Sequence, residues 1–299
     1  MYCHSISSVN QFLQDEKCVV GRQYVFPTIR IEASLNLCCL IDSNGSVEHW
    51  HITSGKCLHA ITNEENQLYA LDYRADGSMF ATAGRDTAIR VYDEATKTEI
   101  ACMKGGHGAV TAGHSNRIFS MKFHPTDENV LLSGGWDNTI QIWDLRVKHA
   151  VRGIYGPHIA GDALDIKNDE ILTGSWRPEN PLELWDYGTG KPKTVIPWNQ
   201  SAIKTEPCFL YSAQFSKDPN NNLIAAGGSG ANEAKVFNHA QGNKVGDPML
   251  LPVVSTHILC VSLARGNNCR IKSRRIYVGF FAKRSKIGGC RRRRDDSHH

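Results

Sequence analysis

Three side chains that could together transfer an acyl group lie near one another in the chain: His114, Ser133 and Asp137. A serine hydroxyl becomes a nucleophile when a histidine takes its proton and a carboxylate orients that histidine, so a hydrolase would use these residue types. The sequence supplies none of the surroundings such chemistry needs. It has no Gly-x-Ser-x-Gly elbow to present a serine on a sharp turn and no His-Glu-x-x-His to hold zinc. Gly188-Thr189-Gly190-Lys191-Pro192 lacks the leading glycine and the hydroxyl residue after lysine that a phosphate loop requires. The cysteines, among them Cys38, Cys39, Cys57, Cys102 and Cys208, form no Cys-x-x-Cys pair and no cluster with histidine at metal spacing. The expectation is a protein with no catalytic residue, cofactor or metal.

The elements that carry those three residues are β-hairpins. In Val130 to Arg146, VLLSGGWDNTIQIWDLR, a short apolar run leads into a Gly134-to-Asn138 turn. Ile140 and Ile142 then alternate with Thr139 and Gln141 up to Trp143, which predicts a hairpin with one buried face. The same order of strand, tight turn, strand and closing aromatic recurs in stretches ending at Trp50, Tyr92, Trp185 and Phe237. The closing aromatics are 42, 51, 42 and 52 residues apart, room for about four short strands per unit. Five such units predict an all-β fold of serially repeated four-stranded sheets.

With Trp143-Asp144, Trp185-Asp186 and the upstream Gly113-His114 pair, the chain resembles the WD40 β-propeller family over about residues 25–240. The resemblance implies five recognisable four-stranded blades, alone or within a larger ring. It also gives His114, Ser133, Asp137 and Trp143 a structural role: a buried chain of hydrogen bonds from the turn carboxylate through imidazole and hydroxyl to the indole. Partial versions follow in blade two, with Thr82, Asp86 and Tyr92, and in blade four, with His158, Thr173 and Trp185. Glu64 stands near the histidine position of blade two, and Arg177 takes the aspartate position of blade four.

In that family, partners commonly bind one rim of the ring, at the residue before each turn aspartate and at certain inner-strand residues. Those positions match Arg85, Trp136 and Trp176 in the turns and Tyr69, Phe119 and Tyr211 on the inner strands, with Arg117 and Phe209 two residues before the last two. Aromatics and arginine are the usual anchors of protein interfaces. Trp136 and Trp176 follow Gly-Gly and Gly-Ser pairs in turns and are expected to point outward, whereas Trp143 and Trp185 are expected in the core. Phe119 and Phe209 read equally as partner anchors and as rings packed on the next blade. The resemblance implies a non-catalytic scaffold that binds a peptide or loop of a protein partner. The window Leu131 to Arg146, ending in Trp-Asp-x-Arg, also resembles a box found in substrate receptors of cullin-4 ubiquitin ligases. That alternative would make Arg146 an adaptor-docking residue; the other reading is a solvated charge at a strand end.

Residues 265–299 hold 12 Lys/Arg against 2 Asp/Glu, which leaves 22 against 28 in residues 1–264. The body is thus acidic and would steer a basic partner, and nucleic-acid binding or nuclear import would fall to the tail, at Lys283, Arg284, Lys286 and Arg291 to Arg294. The organisation expected is an N-terminal segment, 1–24, that could add a ring-closing strand, the blades at 25–240, and a divergent basic segment at 241–299. The last reads as a degenerate blade, an appended tail or an alternative C-terminus. No apolar stretch is long enough to span a membrane and no signal sequence opens the chain, so a cytoplasmic or nuclear protein is expected.

Overall fold

In a computed structural model of the chain, each hairpin read from the sequence extends into a four-stranded antiparallel meander. The structure describes residues 28–32, 37–51, 54–63, 65–105, 112–198, 206–216, 222–231, 233–239 and 249–250. The expectations for residues 1–24, for Glu64 and for the basic tail fall outside them.

The first sheet holds β1 (Thr28–Glu32), β2 (Leu37–Ile41), β3 (Ser46–His51) and β4 (Lys56–Thr62), and the second β5 (Leu68–Tyr73), β6 (Met79–Gly84), β7 (Ile89–Asp93) and β8 (Glu99–Met103). The third holds β9 (Ile118–Phe123), β10 (Val130–Gly135), β11 (Thr139–Asp144) and β12 (His149–Tyr155). The fourth holds β13 (Leu164–Lys167), β14 (Glu170–Gly174), β15 (Leu182–Asp186) and β16 (Pro192–Val195). The fifth holds β17 (Cys208–Phe215), β18 (Leu223–Gly230), β19 (Glu233–Asn238) and β20 (Met249–Leu250). Its four strands are complete only with residues 249–250, beyond the boundary drawn at residue 240.

Inner strands β1, β5, β9, β13 and β17 pack against one another in chain order, so the sheets stand as successive blades of a WD40 β-propeller. Their cores lie between blades rather than within them. Ala81, Ile89, Val91 and Met103 of the second sheet share a cluster with Met121, Phe123, Leu131 and Trp143 of the third. The third sheet's Leu132, Ile140 and Ile142 belong to a different cluster, with Ile171 and Trp185 of the fourth.

That division corrects the expectation of a hairpin with one buried face. Every residue of β10 is buried, and in β11 the polar Thr139 and Gln141 are buried along with Ile140 and Ile142. Successive side chains of a strand point to opposite faces, and here both faces meet a neighbouring blade. The buried polar pair is accommodated by a bond from Gln141 Nε2 to Thr139 Oγ1, 3.1 Å. Only the outer strands return to water: β4 is exposed along most of its length and β16 throughout.

Close backbone approach explains one glycine of the inner hairpins. A Cβ on Gly84 would lie 1.8 Å from the Gln67 carbonyl oxygen, which accepts a 2.9 Å bond from the Arg85 amide. Gly84→Ala should therefore cost about 1–3 kcal/mol of stability, the usual range for overpacking a closed site. Urea unfolding checks this, and an unchanged midpoint would mean that β5 and β6 can part there freely.

Candidate functional site

The hydrolase-like trio closes into a buried chain with Trp143. His114 Nδ1 lies 2.8 Å from Asp137 Oδ2, His114 Nε2 lies 2.7 Å from Ser133 Oγ, and Trp143 Nε1 donates to the same Oγ at 2.7 Å. With the ring proton on Nδ1, His114 donates to the carboxylate and accepts from the serine, and Ser133 Oγ accepts from the indole. Ser133 and Trp143 are fully buried. A nucleophile needs an open face towards its substrate, and this hydroxyl is enclosed between an imidazole and an indole.

Asp137 also receives the Ser115 amide at 3.0 Å, the Thr139 amide at 3.2 Å and the Thr139 hydroxyl at 2.9 Å. Burial alone would raise its carboxyl, but His114 and these donors hold it below the ordinary carboxylate value. A carboxylate lowered in the folded state contributes stability that is complete above its unfolded pKa, about 4, and fades as the pH falls through the folded value. Asp137→Asn should therefore melt lower than wild type at pH 7, with the gap narrowing below about pH 4. Melting curves from pH 2.5 to 7 test this; a gap independent of pH would show that the charge contributes nothing.

The partial networks differ from expectation. In blade two Asn66, a buried side chain that sequence reasoning missed, stands in for histidine: its Nδ2 donates to Asp86 Oδ1 at 3.0 Å, and its Oδ1 accepts the Asp86 amide at 3.2 Å. Asp86 is further held by Arg90 at 2.6 Å, and Tyr92 stacks on Phe80 with centroids 5.0 Å apart, while Thr82 is fully buried. In blade four Trp185 Nε1 donates to Thr173 Oγ1 at 3.0 Å, as expected of its place in the core.

His158 is the correction. Its Nδ1 meets Asn138 Oδ1 of blade three at 2.7 Å instead of joining Thr173, whose hydroxyl donates to the Glu183 carbonyl. The physical reason lies at Arg177: where blade three has Asp137, this guanidinium pairs with Glu183 at 2.6 Å and donates to the Gly156 carbonyl, so no carboxylate draws the imidazole inward. Burial lowers the His158 pKa, only partly offset by Asp137, which favours the neutral ring at pH 7.

Released from the network, His158 completes a run of rings along the rim. Tyr69 stacks on Phe119 (4.7 Å between centroids), Phe119 on Trp136 (5.0 Å), Trp136 on His158 (6.3 Å) and His158 on Trp176 (6.4 Å). Trp176 then meets Phe209 edge-on and Tyr211 at a tilt, each at 5.8 Å. Phe119 and Phe209 thus do pack on rings of neighbouring blades, and they stay half-buried. Trp176 is 39% exposed and Trp136 half-buried, whereas Tyr69 is nearly covered and its hydroxyl donates to Gln67 Oε1. The Arg117 guanidinium lies 5.4 Å from the Trp136 ring centre. Burial raises the Tyr69 hydroxyl pKa, and the Arg117 and Arg85 cations pull it back, so both charges are felt at this end of the arc. Histidine 158 is an aromatic in the chain segment between two rim tryptophans, a signal that its assignment to the buried network concealed.

Arg146 lies away from the arc, after β11, with its Nε 2.9 Å and its Nη2 2.6 Å from the Asp144 carboxylate. The cation that the cullin-4 resemblance would use for docking is already paired, at an exposed strand end.

Successive four-stranded meanders, cores shared between neighbours and a His-Ser-Asp-Trp chain of this geometry define a repeat-built β-propeller. A family model described as "WD domain, G-beta repeat" matches residues 55–93 and 106–144. The first match runs from β4 to β7, so the sequence repeat is offset by one strand from the sheet and links consecutive blades. The chain carries WD40 repeats over these residues. It is similar to Protein tipD of Dictyostelium discoideum, 26% identical over 58% of this chain and 24% of that protein. Target of rapamycin complex subunit LST8 of Mus musculus is 28% identical over 71% of this chain and 60% of its own length. WD repeat-containing protein 25 of Mus musculus is 31% identical over 34% of this chain and 17% of its own. The matched region therefore spans less than two thirds of each of these relatives.

Proposed function

We propose that this chain is a non-catalytic protein-interaction scaffold whose partner, a peptide or loop, docks on the rim from Tyr69 to Tyr211. The observation that carries the reading is the unbroken run of rings from Tyr69 through Phe119, Trp136, His158 and Trp176 to Tyr211, contributed by four successive blades. Aromatic rings bury much area at little entropic cost, and rings already stacked on one another have less freedom to lose on binding. Two relatives are named as members of assemblies, a subunit of a target of rapamycin complex and a cofactor of the APC complex, and they support a scaffold role at this coarse level. A cytoplasmic or nuclear setting is part of the proposal, supported by free thiols at the exposed Cys57 and Cys102.

Affinity purification of the tagged full chain tests it. Partners captured by wild type should be lost from a Trp136→Ala/Trp176→Ala double variant and kept by Tyr155→Ala, which alters an outer-strand ring that is 79% exposed. The reverse pattern would move the binding surface to the outside of the blades. Capture of a cullin-4 adaptor that Arg146→Ala abolishes would instead favour the ligase-receptor alternative.

A further inference from the structure

We infer that the partner segment is acidic: it places a carboxylate between Arg85 and Arg117 and an aromatic or large apolar side chain next to it, on the rings of Phe119, Trp136, His158 and Trp176. The inference rests on the rim reading above and adds its chemistry. The acidic body of the chain predicts a basic partner, but the charges at the Tyr69 end of the arc have the opposite sign. Arg85 is exposed in the turn after β6, and Arg117 is half-buried before β9, with its guanidinium near the Trp136 ring. Among the described residues neither guanidinium has a carboxylate within ion-pair distance, whereas those of Arg74, Arg90, Arg146 and Arg177 each have one. Arg152 instead donates to the carbonyls of Tyr187 and Gly188.

Two unpaired guanidiniums at one end of an apolar pavement form a site for an anion with a ring beside it. Charge-assisted bonds from arginine to a carboxylate are about twice as strong as neutral ones and are directional, so they would fix the register of the bound segment. Asp86 and Asp137, the turn carboxylates behind the two arginine positions, are already held, by Arg90 and Asn66 and by His114 and Thr139, and do not compete for the cations. The exposed acids Glu179 and Glu206 belong to the blade-four turn and to the approach to β17, at the far end of the arc. They would repel the carboxylate from that end and so give the segment one direction.

The test is a display library of random seven-residue peptides selected on the full chain, followed by titration of synthetic versions of those recovered. Selected peptides should be enriched in Asp or Glu next to an aromatic or large apolar residue, and changing that acid to its amide should weaken binding about tenfold. Arg85→Gln and Arg117→Gln should each remove most of that acid-to-amide difference. Phosphoserine in place of the acid tells a carboxylate site from one for phosphate: a phosphopeptide that binds much more tightly than the carboxylate overturns the stated chemistry. Peptides that depend on Trp136 and Trp176 but show no acid preference, or prefer Lys and Arg, overturn this inference and leave the rim reading standing. Peptides that ignore both tryptophans overturn the rim reading itself. Arg85 is exposed, so its variant keeps the test decisive even where Arg117→Gln folds poorly.

Discussion

Trp143→Ala should lower the unfolding free energy by about 3–5 kcal/mol, the largest loss expected from a single side chain here. The indole is fully buried in the cluster shared by the second and third blades, against Leu131, Phe123 and Ala83. Its removal leaves a cavity between two sheets whose backbones are tied to their own strands and cannot collapse onto it. It also takes away the donor to Ser133 Oγ at 2.7 Å. Trp143→Phe separates the two effects, since it keeps most of the ring and loses only the N–H, at about 1–3 kcal/mol. Urea titration of both variants gives the comparison. An alanine variant no weaker than the phenylalanine one would mean that packing at this seam counts for nothing.

Trp136→Ala should weaken the dominant partner by about 2 kcal/mol or more, roughly thirtyfold in Kd, and leave the melting temperature nearly unchanged. The ring is held between Phe119 and His158 and carries Arg117 near its face, so it is ordered before a partner arrives. Its position is imposed by the backbone: the Trp136 amide bonds the Arg117 carbonyl at 3.1 Å, and a Cβ on Gly135 would come within 2.4 Å of that same oxygen. Titration of the purified partner against wild type and variant decides the matter. Full affinity in the variant would remove Trp136 from the interface, and a large drop in melting temperature would recast it as a packing residue.

The contrast between these two tryptophans, seven residues apart, shows how far the chain could be read without its structure. Trp143 ends an alternating strand after a turn, and that local pattern was enough to place it in the core. Trp136 follows two glycines in the turn itself, where an outward ring is the expectation; the structure instead leaves it half-buried between Phe119 and His158, partners not legible in the sequence. Phe119 lies on the adjacent strand of the same sheet, but His158 lies in the approach to the next blade, so its meeting with Trp136 depends on how the two sheets are rotated against one another. The polar alternation of Thr139 and Gln141 was misread as a wet face for the same reason. A period of two tells which residues share a side of a strand and says nothing of what covers that side.

His158 and Asn66 mark the limit most clearly. Both stand where the repeat calls for a buried histidine. Asn66 took that place because Asp86 was there to receive its amide, and His158 left it because Arg177 was not an acid. By itself the sequence determined the strands, the turns and the five-fold recurrence, because each follows from steric and hydrogen-bonding preferences acting over a few dozen residues, whereas the His114 network was legible only through the resemblance to the WD40 family. Only the tertiary structure decided that both faces of the second, third and fourth blades are covered, that one imidazole joins the rim, and that six rings from four blades line up beside two arginines with no carboxylate partner among the described residues. Those outcomes depend on contacts between blades, where the residue that meets a side chain is set by the packing of whole sheets.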